Sequence, residues 1–193
     1  MSEPEILTEG EYLRRERAAR DVRSEYRDGH MVAMSGASVA HNIVSGNLFA
    51  LLWTRLRGGS CRPFMNDLKV RIHQTTRYTY PDVVVVCGDP IFRDDQRDTL
   101  VNPTLIIEVL SESTEAYDRG EKFEHYQRIE SLREYVLVAQ DRPVVERYVR
   151  QGEFWLYSLT AGLEASVTFE SVGTGSAPLA LADIYEGVLP PAA

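Results

Sequence analysis

The stretch TLIIEVLSEST, residues 104–114, places a single glutamate, Glu108, inside an otherwise apolar run. A short continuous apolar run is typical of a central strand that is covered on both faces. Because side chains alternate across a strand, Glu108 shares a face with Ile106 and Leu110. An unpaired buried carboxylate is costly, so Glu108 must meet a cation, accept good hydrogen bonds or lie at an open strand end. Glu108 is therefore the first candidate site residue.

A second acid interrupts the preceding apolar strand. In YTYPDVVVVCGD, residues 78–89, Pro81 stands at the strand start, where a missing N–H is tolerated, and Asp82 shares a face with Val84 and Val86. Asp82 and Glu108 lie on successive core strands, 26 residues apart. This pattern predicts that the two carboxylates meet in one site and share a cation.

A lysine follows Glu108 by 14 residues. Lys122 lies in the first turn of a helix predicted over RGEKFEHYQRI, residues 119–129, which Asp118 and Glu121 open as a capping box. If this helix packs back onto the strand that it follows, its first turn lies near the carboxyl end of that strand. Lys69 and Lys122 are the only lysines among 21 basic residues, and the rest are arginines. An arginine cannot replace an ammonium group whose pKa adjusts to its surroundings.

The convergence of these groups favours Mg²⁺ chemistry. Asp82, Glu108 and the Val109 carbonyl offer hard oxygen ligands, and waters would keep the remaining octahedral positions. Such a metal lowers the pKa of a bound water and screens phosphate charge, while Lys122 orients that water or helps to deprotonate it. Mn²⁺ is expected to substitute for Mg²⁺.

The rest of the pattern predicts one α/β domain, residues 1–193, with a mixed central β-sheet flanked by helices. The predicted elements, in chain order, are a helix capped by Thr8, a hairpin around Asp28-Gly29, a long helix after Ser38, a strand over 62–73, the two apolar strands, the Lys122 helix, an antiparallel C-terminal meander over 133–160 and one further strand with a closing turn. IFRDDQRDTLVN, residues 91–102, is predicted as a polar loop. Phe154, Trp155 and Tyr157 are predicted to lie in the meander core.

The order YPDVVVV, LIIEVLS and RGEKFEHY, with DGHMVAMSGASVAHN and NDLKVRI upstream, resembles the Uma-two family of predicted restriction endonucleases, within the PD-(D/E)XK nuclease superfamily. The resemblance spans about Glu9 to Gln151. It implies a restriction-endonuclease-like core with Asp82 and Glu108 as metal ligands and Lys122 as the catalytic lysine. One departure matters, because the superfamily's usual lysine stands two residues after the second acid, where this chain has Leu110.

Each of these residues also has a structural interpretation. Asp82 could cap a turn beside Pro81, an arginine could neutralise Glu108 within the core, and Lys122 could form an i, i+4 pair with Asp118 on a solvated helix. The secondary candidates are Glu25 and Asp67, as further metal ligands or as exposed charges on a half-covered strand, and His41, as a phosphate-positioning group or a hydrogen-bonded surface histidine.

Composition narrows the function classes. A net charge of −8 argues mildly against a protein that coats nucleic acid, although arginines are concentrated near the N-terminus. No apolar run approaches a membrane span, and the first residues are acidic where a secretory signal is basic, so a cytoplasmic location is expected. Cys61 and Cys87 have no CxxC spacing and are interpreted as ordinary buried thiols, with no disulfide indicated.

The leading hypothesis is a Mg²⁺-dependent endonuclease that hydrolyses DNA phosphodiester bonds, acting as a homodimer. The alternative is a catalytically inactive domain that keeps the nuclease fold as a binding or regulatory module. A third possibility, a glycoside hydrolase that uses the two acids as a carboxylate pair, leaves Lys122 unexplained.

Overall fold

The computed structural model describes residues 6–65, 67–173 and 178–188. Its strands, in chain order, are β1 (Ser24–Arg27), β2 (His30–Ala33), β3 (Cys61–Met65), β4 (Lys69–Ile72), β5 (Arg77–Thr79), β6 (Val83–Cys87), β7 (Thr99–Leu100), β8 (Leu105–Leu110), β9 (Glu134–Ala139), β10 (Val144–Gln151), β11 (Phe154–Ala161), β12 (Ser166–Val167) and β13 (Leu179–Ala180). Its α-helices are α1 (Glu9–Ala18), α2 (Val39–Leu56), α3 (Glu115–Tyr117), α4 (Phe123–Tyr126) and α5 (Leu181–Ile184), and a π-helical turn, Asp118–Lys122, joins α3 to α4.

A six-stranded mixed sheet carries the apolar strands that the sequence predicts. Its order is β11-β10-β9-β8-β6-β3, with β8 and β9 parallel and the other pairs antiparallel. All six residues of β8 are buried, as expected for a central strand. The predicted α/β class, mixed sheet and antiparallel C-terminal meander are confirmed.

The two faces of this sheet pack against different elements. Long helix α2 covers one face, where Val44, Leu48 and Leu52 meet the odd-numbered valines of β6. Phe123, Tyr126 and residues after α4 cover the other face, which carries Ile106 and Leu110. Glu108 lies on this second face, so the helical segment that contains Lys122 packs directly above it.

A second, five-stranded sheet, of order β2-β1-β5-β4-β7, lies beside this second face. Its β1–β2 hairpin turns at Asp28 and Gly29, which both adopt positive φ, as a two-residue turn of this kind requires. The side chain of Thr8 caps α1 and forms a capping box with Glu11. The predicted first helix, hairpin and long helix, whose cap is Ser38, are confirmed.

Three boundaries differ from the prediction. The single strand predicted over 62–73 is two strands, because the chain leaves β3 at Met65 and joins the other sheet as β4 from Lys69. The predicted polar loop 91–102 contains β7, which pairs in parallel with β4. The tail forms two short strands and the one-turn helix α5 rather than one strand and a turn.

The cysteine prediction was wrong. Cys61 and Cys87 are partly buried and form a disulfide. They stand directly opposite each other in the antiparallel β3–β6 register, a proximity that sequence spacing alone does not reveal.

Strand β11 is also more exposed than predicted. Phe154 and Tyr157 are 78% and 48% exposed, so their placement in the meander core was wrong. Trp155 packs against Phe123, and the ring of Tyr157 contacts the same aromatic cluster at its edge, through Tyr148. The reason is that β11 is the edge strand of the six-stranded sheet, with β10 as its neighbour on one side. None of the described helices is long and apolar enough to span a membrane.

Candidate active site

Antiparallel register brings the two predicted acids together. Val83 of β6 pairs with Ile107 of β8, so the next residue outward on β6, Asp82, lies opposite Glu108. The backbone amide of Val109 donates a hydrogen bond of 2.7 Å to Oδ2 of Asp82. Asp82 therefore bridges the start of β6 to the carboxyl half of β8.

Lys122 reaches Glu108 from the helical segment above. Its Nζ lies 2.8 Å from Oε1 of Glu108, and the side chains of both residues are buried. Tyr126, one turn later, donates its hydroxyl proton to the same Oε1 at 2.9 Å, and the hydroxyl of Thr79 lies 2.8 Å from the Tyr126 oxygen. Glu108 is thus neutralised by a lysine rather than by a core arginine.

The predicted capping box at Asp118 is absent. Asp118 has helical backbone angles and lies within the helical run, and no side-chain cap is made at the start of this π-helical turn. Lys122 is consequently not in a first turn but eight residues into the run that begins at Glu115. Asp118 is buried, and its Oδ1 lies 3.1 Å from Nζ of Lys122, so the i, i+4 pair exists but is not solvated.

Glu25 joins the same cluster from β1. Its side chain is buried, and Oε1 lies 3.7 Å from Nζ of Lys122 and accepts the backbone amide of Tyr80 at 3.3 Å. Arg27 pairs with Oε2 of Glu25. The interpretation of Glu25 as an exposed strand charge was therefore wrong.

Burial and crowding of like charges set the electrostatics of this cluster. Burial raises the pKa of Glu108 well above its usual value of 4.5; Lys122 opposes this shift, and the charges of Asp118 and Asp82 add to it. Burial by itself lowers the pKa of Lys122, but Glu108, Glu25 and Asp118 outweigh it and raise that pKa well above 10.5. The site therefore holds a firmly charged ammonium among an excess of carboxylates.

His41, the third secondary candidate, contacts Asp82. Its Nε2 lies 3.3 Å from Oδ2 of Asp82, and its backbone amide donates to the side chain of Ser38, the N-cap of α2. Burial lowers the pKa of His41, but the Asp82 carboxylate and a hydrogen bond to the backbone of Val109 raise it overall above 6.5. His41 thus approaches two of the three predicted ligand positions.

Asp67 is the candidate that the structure leaves outside the cluster. Its side chain is 75% exposed and pairs with Arg23 at 3.2 Å. Asp67 still lines the rim of the cleft above the carboxylates, which has a volume of about 580 Å³. Five acids, Glu25, Asp67, Asp82, Glu108 and Asp118, line this cleft, against three permanently charged cations, Arg23, Arg27 and Lys122.

The oxygen donors fit a hard divalent cation. Oδ2 of Asp82 contacts Val109 and His41, and Oε1 of Glu108 contacts Tyr126 and Lys122. Within the described residues, no hydrogen bond or ion pair involves the other oxygen of either carboxylate, Oδ1 of Asp82 or Oε2 of Glu108. No three acidic, histidine or cysteine side chains of the described ranges form a preformed cage. Two carboxylates and a carbonyl nevertheless suit Mg²⁺, which keeps several of its waters.

Asp118 and Tyr126 are the site residues that sequence reasoning missed. Asp118 was interpreted as a helix cap because Asp followed three residues later by Glu has that appearance. Tyr126 was assigned to an apolar stripe, and it does pack there, but its hydroxyl bonds to Glu108. The signal available was spacing, because residues 118, 122 and 126 recur every four positions and so share one helix face.

One solved structure has a fold like that of this chain. A solved structure described as "a putative nuclease belonging to DUF820", from Anabaena variabilis, superposes with a TM-score of 0.74 at 18% identity, covering 93% of this chain and 97% of that chain. The chain therefore has the restriction-endonuclease-like fold.

The family follows from sequence comparison. The chain belongs to the Uma2 family, described as "Putative restriction endonuclease", whose family model matches residues 10–177. It is 37% identical over 165 residues to the uncharacterized protein sll1609 of Synechocystis, covering 85% of this chain and 93% of the relative. It is 42% identical over 143 residues to the uncharacterized protein slr1290 of the same organism, covering 74% of this chain and 73% of the relative.

Proposed function

We propose that this protein is a Mg²⁺-dependent endonuclease that hydrolyses DNA phosphodiester bonds. The observation that carries the proposal is the contact of 2.8 Å between Lys122 and Glu108, inside a cleft where Asp82 stands opposite Glu108. A buried ammonium beside Glu108, with Asp82 opposite, suits phosphoryl chemistry, because each of these two carboxylates has an oxygen without a partner among the described residues.

Asp82, Glu108 and the Val109 carbonyl would hold the metal. Mg²⁺, or Mn²⁺ in its place, supplies Lewis-acid polarisation of a phosphate oxygen when bound. His41 lies beside these ligands, with Nε2 3.3 Å from Oδ2 of Asp82. From this position His41 would contact a phosphate group held at the metal.

Lys122 acts as a charged donor in this proposal. Its raised pKa keeps the ammonium protonated at neutral pH, so Lys122 orients the attacking water and stabilises negative charge that develops on phosphate oxygens. The raised pKa favours this role over deprotonation of the water, which would need a neutral amine. The hydrogen bond from the Tyr126 hydroxyl holds the Glu108 carboxylate in position beside Lys122.

The substrate assignment rests on the family and on charge. The cleft lining is acidic overall, and its arginines Arg23 and Arg27 pair with Asp67 and Glu25, so the phosphate backbone would approach together with the divalent cation. Because the proposed substrate is DNA, we also propose that the protein works in the cytoplasm. The Cys61–Cys87 disulfide argues against that location, since disulfides are uncommon there.

We further propose a homodimer, and strand β11 supports it. Phe154, Leu156 and Leu159 are each more than half exposed, and none of the eight residues of this edge strand is charged. Uncharged exposed edges are prone to pair with another strand, and antiparallel pairing of two β11 strands obeys two-fold symmetry.

Leu156→Lys is expected to convert the dimer to a monomer, because a lysine on an edge strand opposes edge pairing. Sedimentation velocity measures this. Ile91→Lys, at an apolar residue of nearly equal exposure in a loop, is the matched control and should leave the mass unchanged. A parent protein that sediments as a monomer at all concentrations would refute the homodimer.

The nuclease proposal is tested with supercoiled and linear plasmid and with single-stranded DNA, each with Mg²⁺, Mn²⁺ or EDTA. The parent and Glu112→Gln, an exposed acid in the turn after β8, are expected to cleave at equal rates, whereas Glu108→Gln does not cleave. Equal cleavage by the parent and Glu108→Gln would assign the activity to a contaminant. No cleavage of any DNA by a metal-bound parent would favour the inactive binding or regulatory module.

A further inference from the structure

We propose that Asp118 is a positioning residue that holds the ammonium of Lys122 against Glu108, an inference that rests on the proposed function for its catalytic consequence. Asp118 and Lys122 are the first and last residues of the π-helical turn. Both side chains are buried, and Oδ1 of Asp118 lies 3.1 Å from Nζ of Lys122. The ammonium is thus held between Asp118 on its own helical run and Glu108 on the sheet.

The backbone of Asp118 is anchored independently of its side chain. Tyr135, fully buried on β9, donates its hydroxyl to the Asp118 carbonyl at 2.9 Å. This bond ties the π-helical turn to the six-stranded sheet. The carboxylate of Asp118 therefore is not needed to fix the turn.

Oδ1 of the Asp118 carboxylate also lacks a hydrogen-bond partner among the described residues. Oδ1 of Asp118 is buried and makes no hydrogen bond to a described residue, because the contact with Lys122 has ion-pair distance without hydrogen-bond direction. A buried carboxylate in this state is costly, so a purely structural role would be served better by a neutral side chain.

Neutralisation of Lys122 does not require Asp118 either. Glu108 pairs with Lys122 at 2.8 Å, and Glu25 pairs with Arg27, so these four residues already balance. Asp118, like Asp82, is a negative charge beyond this balance. What it adds is a second anchor for an ammonium on a flexible four-carbon stem, which one carboxylate does not fix in position.

The second anchor matters most when Glu108 is engaged by a divalent cation. Glu108 then shares its charge with that cation and holds Lys122 less firmly. Asp118 keeps Lys122 in place beside the reacting phosphate. Loss of this placement is expected to lower kcat on the order of 100-fold, since displacement of a catalytic group by about 1 Å has an effect of that size.

The chain offers a direct spectroscopic test, because Lys69 and Lys122 are its only lysines. Protein labelled with ¹³C at the lysine ε position gives two ¹³C signals, and each immobilised side chain gives two inequivalent Hε protons. Lys69, which pairs with Asp98 at 3.0 Å, is an internal reference. Asp118→Asn is the test variant, Asp118→Glu the charge-retaining variant, and Asp95→Asn, at an exposed residue, the matched control.

In metal-free Asp118→Asn we expect the two Lys122 Hε signals to merge, with Lys69 unchanged and with partial recovery in Asp118→Glu. Unchanged Lys122 signals in Asp118→Asn would overturn the proposal. Calorimetric Mg²⁺ affinity should stay within about threefold of the parent, whereas a drop of roughly 100-fold would make Asp118 a metal ligand and also overturn the positioning role. Failure of the parent to bind Mg²⁺ would contradict the proposed function. The metal-free spectra would still show whether Asp118 immobilises the Lys122 side chain.

Discussion

Replacing Lys122 with methionine is expected to lower the free energy of unfolding at neutral pH by about 3–5 kcal/mol, the usual result of removing one partner from a buried ion pair. Methionine keeps most of the volume of the stem but leaves Glu108, Asp118 and Glu25 without the ammonium that lies within 3.7 Å of all three. The loss therefore reports on charge rather than on packing.

The pH dependence of this loss has a definite sign. Burial already raises the folded-state pKa of Glu108 above 4.5, and removal of Lys122 takes away the charge that opposes this rise. A carboxyl group whose pKa is raised in the folded state stabilises the fold at pH values below its unfolded-state pKa. This stabilisation is lost as the pH rises through the folded-state pKa. The difference between parent and Lys122→Met should therefore be small near pH 4.5 and grow towards neutral pH.

Urea unfolding followed by circular dichroism at several pH values measures this prediction. Arg128→Met, on an exposed i, i+4 pair with Glu124, is the matched control and should change stability by less than about 0.5 kcal/mol. The double variant Lys122→Met, Glu108→Gln should recover part of the loss, because it removes one of the unpaired charges. A loss below about 1 kcal/mol in the single variant, independent of pH, would show that Lys122 does not neutralise this cluster.

Glu108→Gln is expected to weaken Mg²⁺ binding by more than about 100-fold, because changes in groups that merely support a ligand already cost 10–100-fold. The amide oxygen can still accept the Tyr126 hydroxyl, and Lys122 keeps Asp118 and Glu25 as partners, so the variant should stay folded. Isothermal titration calorimetry of parent, Glu108→Gln and Glu112→Gln measures the effect. Parent-like affinity in Glu108→Gln would exclude this carboxylate as a ligand.

Much of the fold could be predicted from the sequence, because the apolar runs and turn residues indicated the same elements that the structure buries or turns. The apolar run around Glu108 is a central strand, and Asp28-Gly29 forms the hairpin turn. The strand predicted over 62–73 was divided, because alternation indicates a strand without saying which sheet it joins. Cys61 and Cys87 likewise became partners through the β3–β6 register, which is a tertiary property.

The site was predictable where a charged residue interrupts an apolar pattern. Asp82 and Glu108 were found in this way, and the structure places Asp82 opposite Glu108 and places Glu108 in contact with Lys122. Asp118 was assigned to a cap, since local spacing cannot show a π-helical turn or a tyrosine, Tyr135, that holds it from a distant strand. The ligand and catalytic roles of these residues stay predictions.

The central claim is that a divalent cation binds beside Lys122 through Asp82 and Glu108. The most direct measurement is a Mg²⁺ titration of ε-¹³C-lysine-labelled protein, with and without a DNA oligonucleotide, in which Lys69 serves as the reference signal. We expect a saturable shift of the Lys122 signal that is absent in Glu108→Gln, with the Lys69 signal unchanged. A Lys122 signal that stays unchanged in the parent through the millimolar range, with DNA present, would contradict it.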